Sequence, residues 1–213
     1  MHVQVSPIAV TPGTMLVSLT IGDCMKAHAR NLFGAAVLLG VITVCGATAE
    51  PEKKPKEDLP NFHQVTPYLY RGGEPTKKGL QEVKKMGVET IFDLRGTGPD
   101  TKVEKEEAEK LGMHYFNLPM DSQAPSNEYV DKFLHSVEAA RAANNGKPVF
   151  VHCQHGSDRT GCLVGVWRVT HDGWDYDKAY EEMRKYYFGP KFVNLSGTVR
   201  QYADGTRKEK EQR

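Results

Sequence analysis

Between Pro148 and Arg168 three kinds of sequence follow one another without a gap. An apolar run, Pro148-Val149-Phe150-Val151, leads into the polar stretch His152-Cys153-Gln154-His155-Gly156-Ser157-Asp158-Arg159. Thr160-Gly161-Cys162-Leu163-Val164-Gly165-Val166-Trp167-Arg168 leads out as a largely apolar, helix-like run. The order predicts a buried strand, a tight loop and a helix. That unit restricts the fold to an α/β arrangement. It also gathers backbone N–H groups at a helix N-terminus, where an anion can be held. A cysteine and an arginine stand at the two ends of the loop.

The upstream sequence has the same character. Phe62 to Arg71 reads as an opening strand or hairpin, and Gly72-Gly73 as a turn. Helical spacing of Leu80, Val83 and Met86 predicts a helix over 76–86, with Thr76 as its N-cap. Glu89 to Leu94 is a short strand, 100–111 a charged amphipathic helix stopped by Gly112, and Met113 to Leu118 a further strand. Ser126 caps a helix to Ala142, and further helices are expected over 160–171 and 176–187. Strands alternating with helices imply a central, mostly parallel sheet of four to five strands, flanked by helices on both faces. Ligands of such sheets bind at the carboxyl ends of the strands. The loops after Leu94, Leu118 and His152 should therefore converge.

The chemistry follows from residue types. Cys153 at the base of an anion cradle is a nucleophile if it ionises. A helix N-terminus and a neighbouring cation both favour the thiolate. Arg159 offers a planar fork for two phosphate oxygens, which lysine does not match. The N–H groups of Gln154, His155, Gly156, Ser157, Asp158 and Arg159 can bind the remaining oxygens and the charge of a transition state. Gly156 is expected to let the chain turn without a side chain striking the anion. Strand alternation turns His152 away from the loop, where it can brace it. A leaving alkoxide or phenoxide needs a proton donor. Asp121 follows a strand that should end beside the loop, and Asp93 is the runner-up, expected to pair with Arg95 instead.

His-Cys-x-x-Gly-x-x-Arg followed by Thr resembles the signature loop of cysteine-dependent protein tyrosine and dual-specificity phosphatases, of the small bacterial type. His152, Cys153, Gly156, Arg159 and Thr160 match it. Tyr70-Arg71-Gly72-Gly73-Glu74-Pro75-Thr76 and Phe92-Asp93-Leu94-Arg95-Gly96 extend the similarity, which spans about 62–187. The resemblance implies a dual-specificity phosphatase-like fold, Cys153 as nucleophile, and a Thr160 hydroxyl donated to its sulfur. It also implies Asp121 as acid, from its distance ahead of Cys153. Arg71 and Arg95 are expected as ion-pair partners near the site. His155 and Asp158 depart from the usual eukaryotic pattern. His155 favours a polyanionic substrate when charged. Asp158 either orients Arg159 or repels extra phosphate.

Formal charge is nearly balanced at +1, so nothing points to nucleic acid. From Met25 the chain reads as a basic segment, an apolar run from Leu32 to Cys45 and Ala47-Thr48-Ala49. That pattern predicts a signal peptide over 25–49, cleaved after Ala49, with an uncleaved anchor as the alternative. Export to a bacterial periplasm, or secretion, is then expected, with only transient membrane contact. Translation is expected to begin at Met25, making 1–24 a non-native upstream extension. A flexible leader over 50–60, a phosphatase domain over 61–203 and a polar, frayed tail over 204–213 complete the organisation. Cys153 and Cys162 form no disulfide framework, and Cys162 reads as a small buried helix residue. His152-Cys153-x-His155 only superficially suggests zinc. No metal or cofactor is expected, and a monomer is.

Three functions fit these residues. The first is hydrolysis of phosphotyrosine, extending to phosphoserine and phosphothreonine, in a phosphoprotein substrate. The second is hydrolysis of phosphoinositides or other small phosphate esters. The third is a non-catalytic phosphate-binding module, which would have no need of the cysteine.

Overall fold

The computed structural model describes residues 57–211. The expected upstream extension, the signal peptide and most of the leader lie outside the described residues. β1 (His63–Thr66) and β2 (Leu69–Gly72) form an antiparallel hairpin, and α1 (Lys77–Lys85) follows. β3 (Thr90–Asp93), α2 (Pro99–Lys110), β4 (His114–Asn117), α3 (Asn127–Ala143) and β5 (Val149–His152) continue the alternation. The chain ends in α4 (Asp158–Thr170), α5 (Tyr176–Lys185) and α6 (Val193–Glu211).

The five strands lie in the order β1-β2-β5-β3-β4. β5 runs parallel to both of its neighbours, and β3 runs parallel to β4. Only the β1–β2 pair is antiparallel, so the expected sheet is present with five strands. β5 has no free edge, and all four of its residues are buried. A continuous apolar strand is what a sheet covered on both faces requires.

The period of two divides the core. Val149 and Val151 face one way with Leu69, Phe92 and Leu94, against Phe133 of α3, Leu163 and Trp167 of α4, Met183 of α5 and Val199 of α6. Phe150 and Ile91 face the other way, against Leu80 and Val83 of α1 and Ala108 of α2. Helix ends follow the sequence signals. Thr76 accepts from the Gly79 N–H at 3.1 Å, and Ser126 from the Tyr129 N–H at 3.2 Å. Gly112 stops α2 with φ +70°.

The C-terminus differs from expectation. Residues 204–211 are not a frayed tail but continue α6, which the sequence pattern did not announce. Its buried face includes Ser196 and Thr198 beside Leu195 and Val199, so apolar periodicity is diluted by hydroxyls. Those hydroxyls donate to Val193 O and Asn194 O one turn back. Gly165 of α4 lets α6 come close: a Cβ there would stand 3.0 Å from Val199 Cγ2.

Candidate active site

Cys153 is the first residue beyond the central strand and is 2 % exposed. The Leu94 N–H donates to His152 O at 2.9 Å, carrying the β3–β5 ladder to the start of the loop. Three carbonyls of the loop are reached by donors outside it. Gln154 O accepts from the Glu74 N–H at 3.2 Å, His155 O from Asn61 Nδ2 at 3.4 Å, and Gly156 O from Arg71 Nη2 at 2.7 Å. In a trans peptide the C=O and the following N–H point in opposite directions. Each carbonyl drawn one way therefore turns the N–H of His155, Gly156 or Ser157 the other way, toward the cradle. The described peptides are all trans.

The sulfur sits among these donors. Burial raises the Cys153 pKa, but the Thr160 hydroxyl and N–H, the Arg159 charge and the His155 N–H outweigh it, and the net direction is down. A thiolate is thus favoured in the place where a nucleophile is needed. Cys162 shows the contrast. It is fully buried on α4, its Sγ lies 3.3 Å from Leu195 O, and burial pushes its pKa up to about 12. Both cysteines are free thiols.

Arg159 joins three strand ends. Its Nη1 donates to Leu94 O at 3.3 Å, after β3, and to Met120 O at 3.4 Å, after β4, from the loop that follows β5. The expected convergence of loops is therefore present, and it occurs on one guanidinium. Asp121 follows Met120 directly. It is exposed, and its Oδ1 accepts from the Gln123 N–H at 2.7 Å, closing a turn on its own loop. The structure thus brings Asp121's loop to Arg159 while its carboxylate is bonded locally.

A buried charge network braces the loop from the α2 side. His152 shares its face with Phe150, the rings stacked 5.2 Å apart, as alternation requires. Its Nδ1 contacts Cys153 O at 3.4 Å, and its Nε2 pairs with Glu104 Oε1 at 2.8 Å. Glu104 Oε2 and Asp93 Oδ2 both accept from Arg95 Nη2, at 2.6 and 2.7 Å. Arg95 also pairs with Glu74, whose Oε2 accepts from Gln154 Nε2 at 2.9 Å. The contacts thus run from Gln154 back round to Cys153. Asp93, the runner-up acid, is fully buried, and Tyr115 donates to it. Burial raises its pKa, but Arg95, His152 and Tyr115 overcome that and hold it low. A carboxyl held ionised in this way is unsuited to giving up a proton. Asp93, Glu104 and His152 bring ligand-type atoms within 4.8 Å of one another, but Arg95 and their mutual contacts already occupy them.

Several assignments need correction. Gly156 adopts φ +73°, and a Cβ there would lie 2.4 Å from Gly72 C and 2.5 Å from Gly73 N. Its glycine is required by the close approach of the Gly72–Gly73 backbone, not by clearance for an anion. Asp158 does not orient Arg159: its Oδ1 accepts from the Gly189 N–H at 2.8 Å and ties α4 to the segment after α5. Arg95 is the ion-pair hub expected, whereas Arg71 is not. Arg71 is fully buried and makes no salt bridge among the described residues. It holds Gly156 O and lies 4.7 Å from the Tyr186 ring centroid. Gln154 and His155 are exposed, Ser157 is buried, and Thr160 is fully buried under the sulfur. Sequence reasoning missed Glu104, Tyr115, Asn61 and Tyr186.

A family model described as a DSP-PTPase phosphatase fused to NAD+ kinase matches residues 52–201. Among curated proteins, the dual specificity protein phosphatase TpbA of Pseudomonas aeruginosa is 26% identical over 132 residues, covering 61% of this chain and 56% of TpbA. The inositol diphosphatase DSP3 of Arabidopsis thaliana is 27% identical over 126 residues, covering 59% of this chain and 61% of DSP3. The chain thus spans under two thirds of the length of these curated relatives. The crystal structure of P. aeruginosa TpbA is similar with a TM-score of 0.59 at 24% identity, over 70% of this chain and 89% of that one. The fold is the one such phosphatases use, and the family match runs from ahead of β1 into α6. The chain belongs to the dual-specificity branch of the cysteine-dependent protein tyrosine phosphatase superfamily.

Proposed function

We propose that this chain hydrolyses phosphotyrosine in proteins through a cysteinyl-phosphate intermediate. The observation that carries the reading is the setting of Cys153: a buried sulfur whose pKa is lowered by Thr160, Arg159 and the His155 N–H, at the floor of a loop with its N–H groups turned inward. The thiolate attacks phosphorus in line with the tyrosyl oxygen, forming the S–P bond as the P–O bond breaks. Asp121 gives its proton to the departing oxygen. Arg159, its Nη1 spent on Leu94 O and Met120 O, presents the Nε–Nη2 edge to two phosphoryl oxygens. A water then attacks the cysteinyl-phosphate, Asp121 takes its proton, and inorganic phosphate leaves with the thiolate restored. Asp121 must swing off the Gln123 N–H to do this, which its exposure permits.

A second reading, hydrolysis of inositol diphosphates, is favoured by the similarity to an inositol diphosphatase. Asp158, bonded to Gly189, no longer argues for or against it. Export through residues 25–49, as a monomer, belongs to the proposal. N-terminal sequencing of the protein from the extracytoplasmic fraction tests the export.

Purified protein assayed in EDTA against phosphotyrosyl peptides, phosphoseryl peptides and inositol diphosphates decides among substrates. Preference for the phosphotyrosyl peptides is expected. Cys153→Ser should abolish turnover and retain phosphate binding. Asp121→Ala should slow phosphotyrosine about a hundredfold and para-nitrophenyl phosphate far less, because an activated phenol leaves without a proton. Equal slowing of both would remove Asp121 from the acid's role. Inactivity of the reduced wild type on every ester would favour the phosphate-binding module.

A further inference from the structure

Arg71 is a fully buried residue of the site that the chemistry above does not use. It stands on β2 opposite Val151 of β5, two residues ahead of Cys153. It is fully buried, yet Nε and Nη1 find no hydrogen-bond acceptor among the described residues. Nη2 alone is engaged, with Gly156 O at 2.7 Å. Taking a guanidinium out of water without a paired carboxylate is costly. Such a group persists where its field or its one contact is needed.

We infer that Arg71 is a positioning residue for the phosphatase reaction proposed above: it draws the Gly156 carbonyl out of the anion cradle and sets a fixed positive charge on β2, beside the strand that leads into Cys153. The inference rests on that reading for its reaction and on the loop geometry for its mechanism. Pulling Gly156 O away from the cradle turns the Ser157 N–H toward the bound anion, since the two lie on opposite sides of one trans peptide. The guanidinium cannot drift. Tyr186, at the end of α5, lies against it at 4.7 Å, and His63 of β1 stacks on that ring at 4.0 Å. Gly161, in the first turn of α4, closes the other side: a Cβ there would lie 3.8 Å from Nη2.

The charged groups facing Arg71 are few. Glu182 of α5 attracts it but is bonded to Arg168 at 2.7 and 3.0 Å. Arg168 of α4 repels it, while Tyr186 and Cys153 attract it. Burial lowers its pKa to about 10, so it carries its charge at neutral pH. Around the sulfur the other groups are Thr160, Arg159 and the His155 N–H. Arg159 must serve the substrate, whereas Arg71 has no other duty. The division separates a cation that grips phosphate from one that holds the thiolate and the loop.

The test compares full-length wild type, Arg71→Gln and Arg71→Lys under reducing conditions. Each is titrated by thiolate ultraviolet absorbance and assayed with para-nitrophenyl phosphate across pH. Inorganic phosphate affinity is measured by competition, and folding is followed by thermal unfolding. In Arg71→Gln the titration midpoint of Cys153 should rise by about one pH unit, and the acid limb of kcat/KM should move with it. Phosphate affinity should fall about tenfold, with one N–H released from the cradle. Arg71→Lys should restore the midpoint but not the phosphate affinity, since an ammonium keeps the charge without the fork. A folded Arg71→Gln with wild-type midpoint and phosphate affinity overturns the inference. So does failure of both variants to fold, which would make Arg71 a fold determinant only. Wild type that binds phosphate and titrates as described, yet turns over no ester, would retire the phosphatase reading and leave the loop assignment standing.

Discussion

Oε1 of Glu104 lies 2.8 Å from Nε2 of His152, and neither atom has another hydrogen-bond partner among the described residues. Burial works against a charged imidazole here, but Glu104 and Asp93 outweigh it and raise the pKa of His152. A group whose pKa is raised on folding contributes fully below its unfolded value, near pH 6.5, and loses that contribution as pH rises through the folded value. Glu104→Gln should therefore lower unfolding stability by about 3 kcal/mol at about pH 6. The gap from wild type should narrow as the pH climbs through the raised histidine value. Denaturant unfolding of both proteins across pH measures this; a gap independent of pH would mean that His152 is neutral in the fold.

The two site-side cysteines should differ sharply in reactivity. Iodoacetamide near neutral pH should modify Cys153 and spare Cys162, whose thiol is pushed up to about 12. A difference in rate of at least about a hundredfold is expected from thiolate fraction alone. Peptide mapping by mass spectrometry reads it, and inorganic phosphate should slow the reaction at Cys153. Cys162 should react once the protein is denatured. Comparable labelling of both in the folded state would contradict the assigned environments.

Gly156→Ala should damage the site more than the fold. A methyl group would be forced to within 2.4 Å of Gly72 C at φ +73°. Relief requires the loop to shift, and misplacement on the order of 1 Å costs about a hundredfold in turnover. Stability should drop by about 2 kcal/mol. Gly197→Ala on α6, where a Cβ meets nothing within 4 Å, is the control and should leave activity unchanged. Equal activity of the two variants would mean that the loop tolerates a side chain at 156.

What could be read in advance depended on whether a residue's partner lies nearby in the chain. The direction of His152 followed from alternation with Phe150, and the caps Thr76 and Ser126 from their own first turns. Glu104 was invisible because α2 inverts its pattern: Val103 is 50 % exposed while Glu104 is buried. A helix that turns a carboxylate inward to meet a strand histidine looks, in sequence, like an ordinary charged face. Gly156 was recognised as necessary for the wrong reason, since the colliding atoms belong to Gly72 and Gly73, at the end of β2 and far away in the chain. Arg71 invited an ion-pair reading by its charge, but its acceptor is a backbone carbonyl on the loop. Asp158 likewise meets a backbone N–H, at Gly189. Main-chain acceptors and donors carry no residue type, so sequence cannot announce them.

The anchoring of Arg159 has a consequence for how this scaffold can be altered. Its two fixed contacts, Leu94 O and Met120 O, are main-chain atoms, so they are indifferent to which side chains occupy those loops. Substitutions over residues 122–125, beyond the acid Asp121, can reshape the rim and retune substrate choice while the arginine keeps its aim. Changes of loop length cannot, because adding or removing a residue displaces the carbonyl itself. The site is robust to spelling and brittle to spacing, and engineering of its specificity should respect that division.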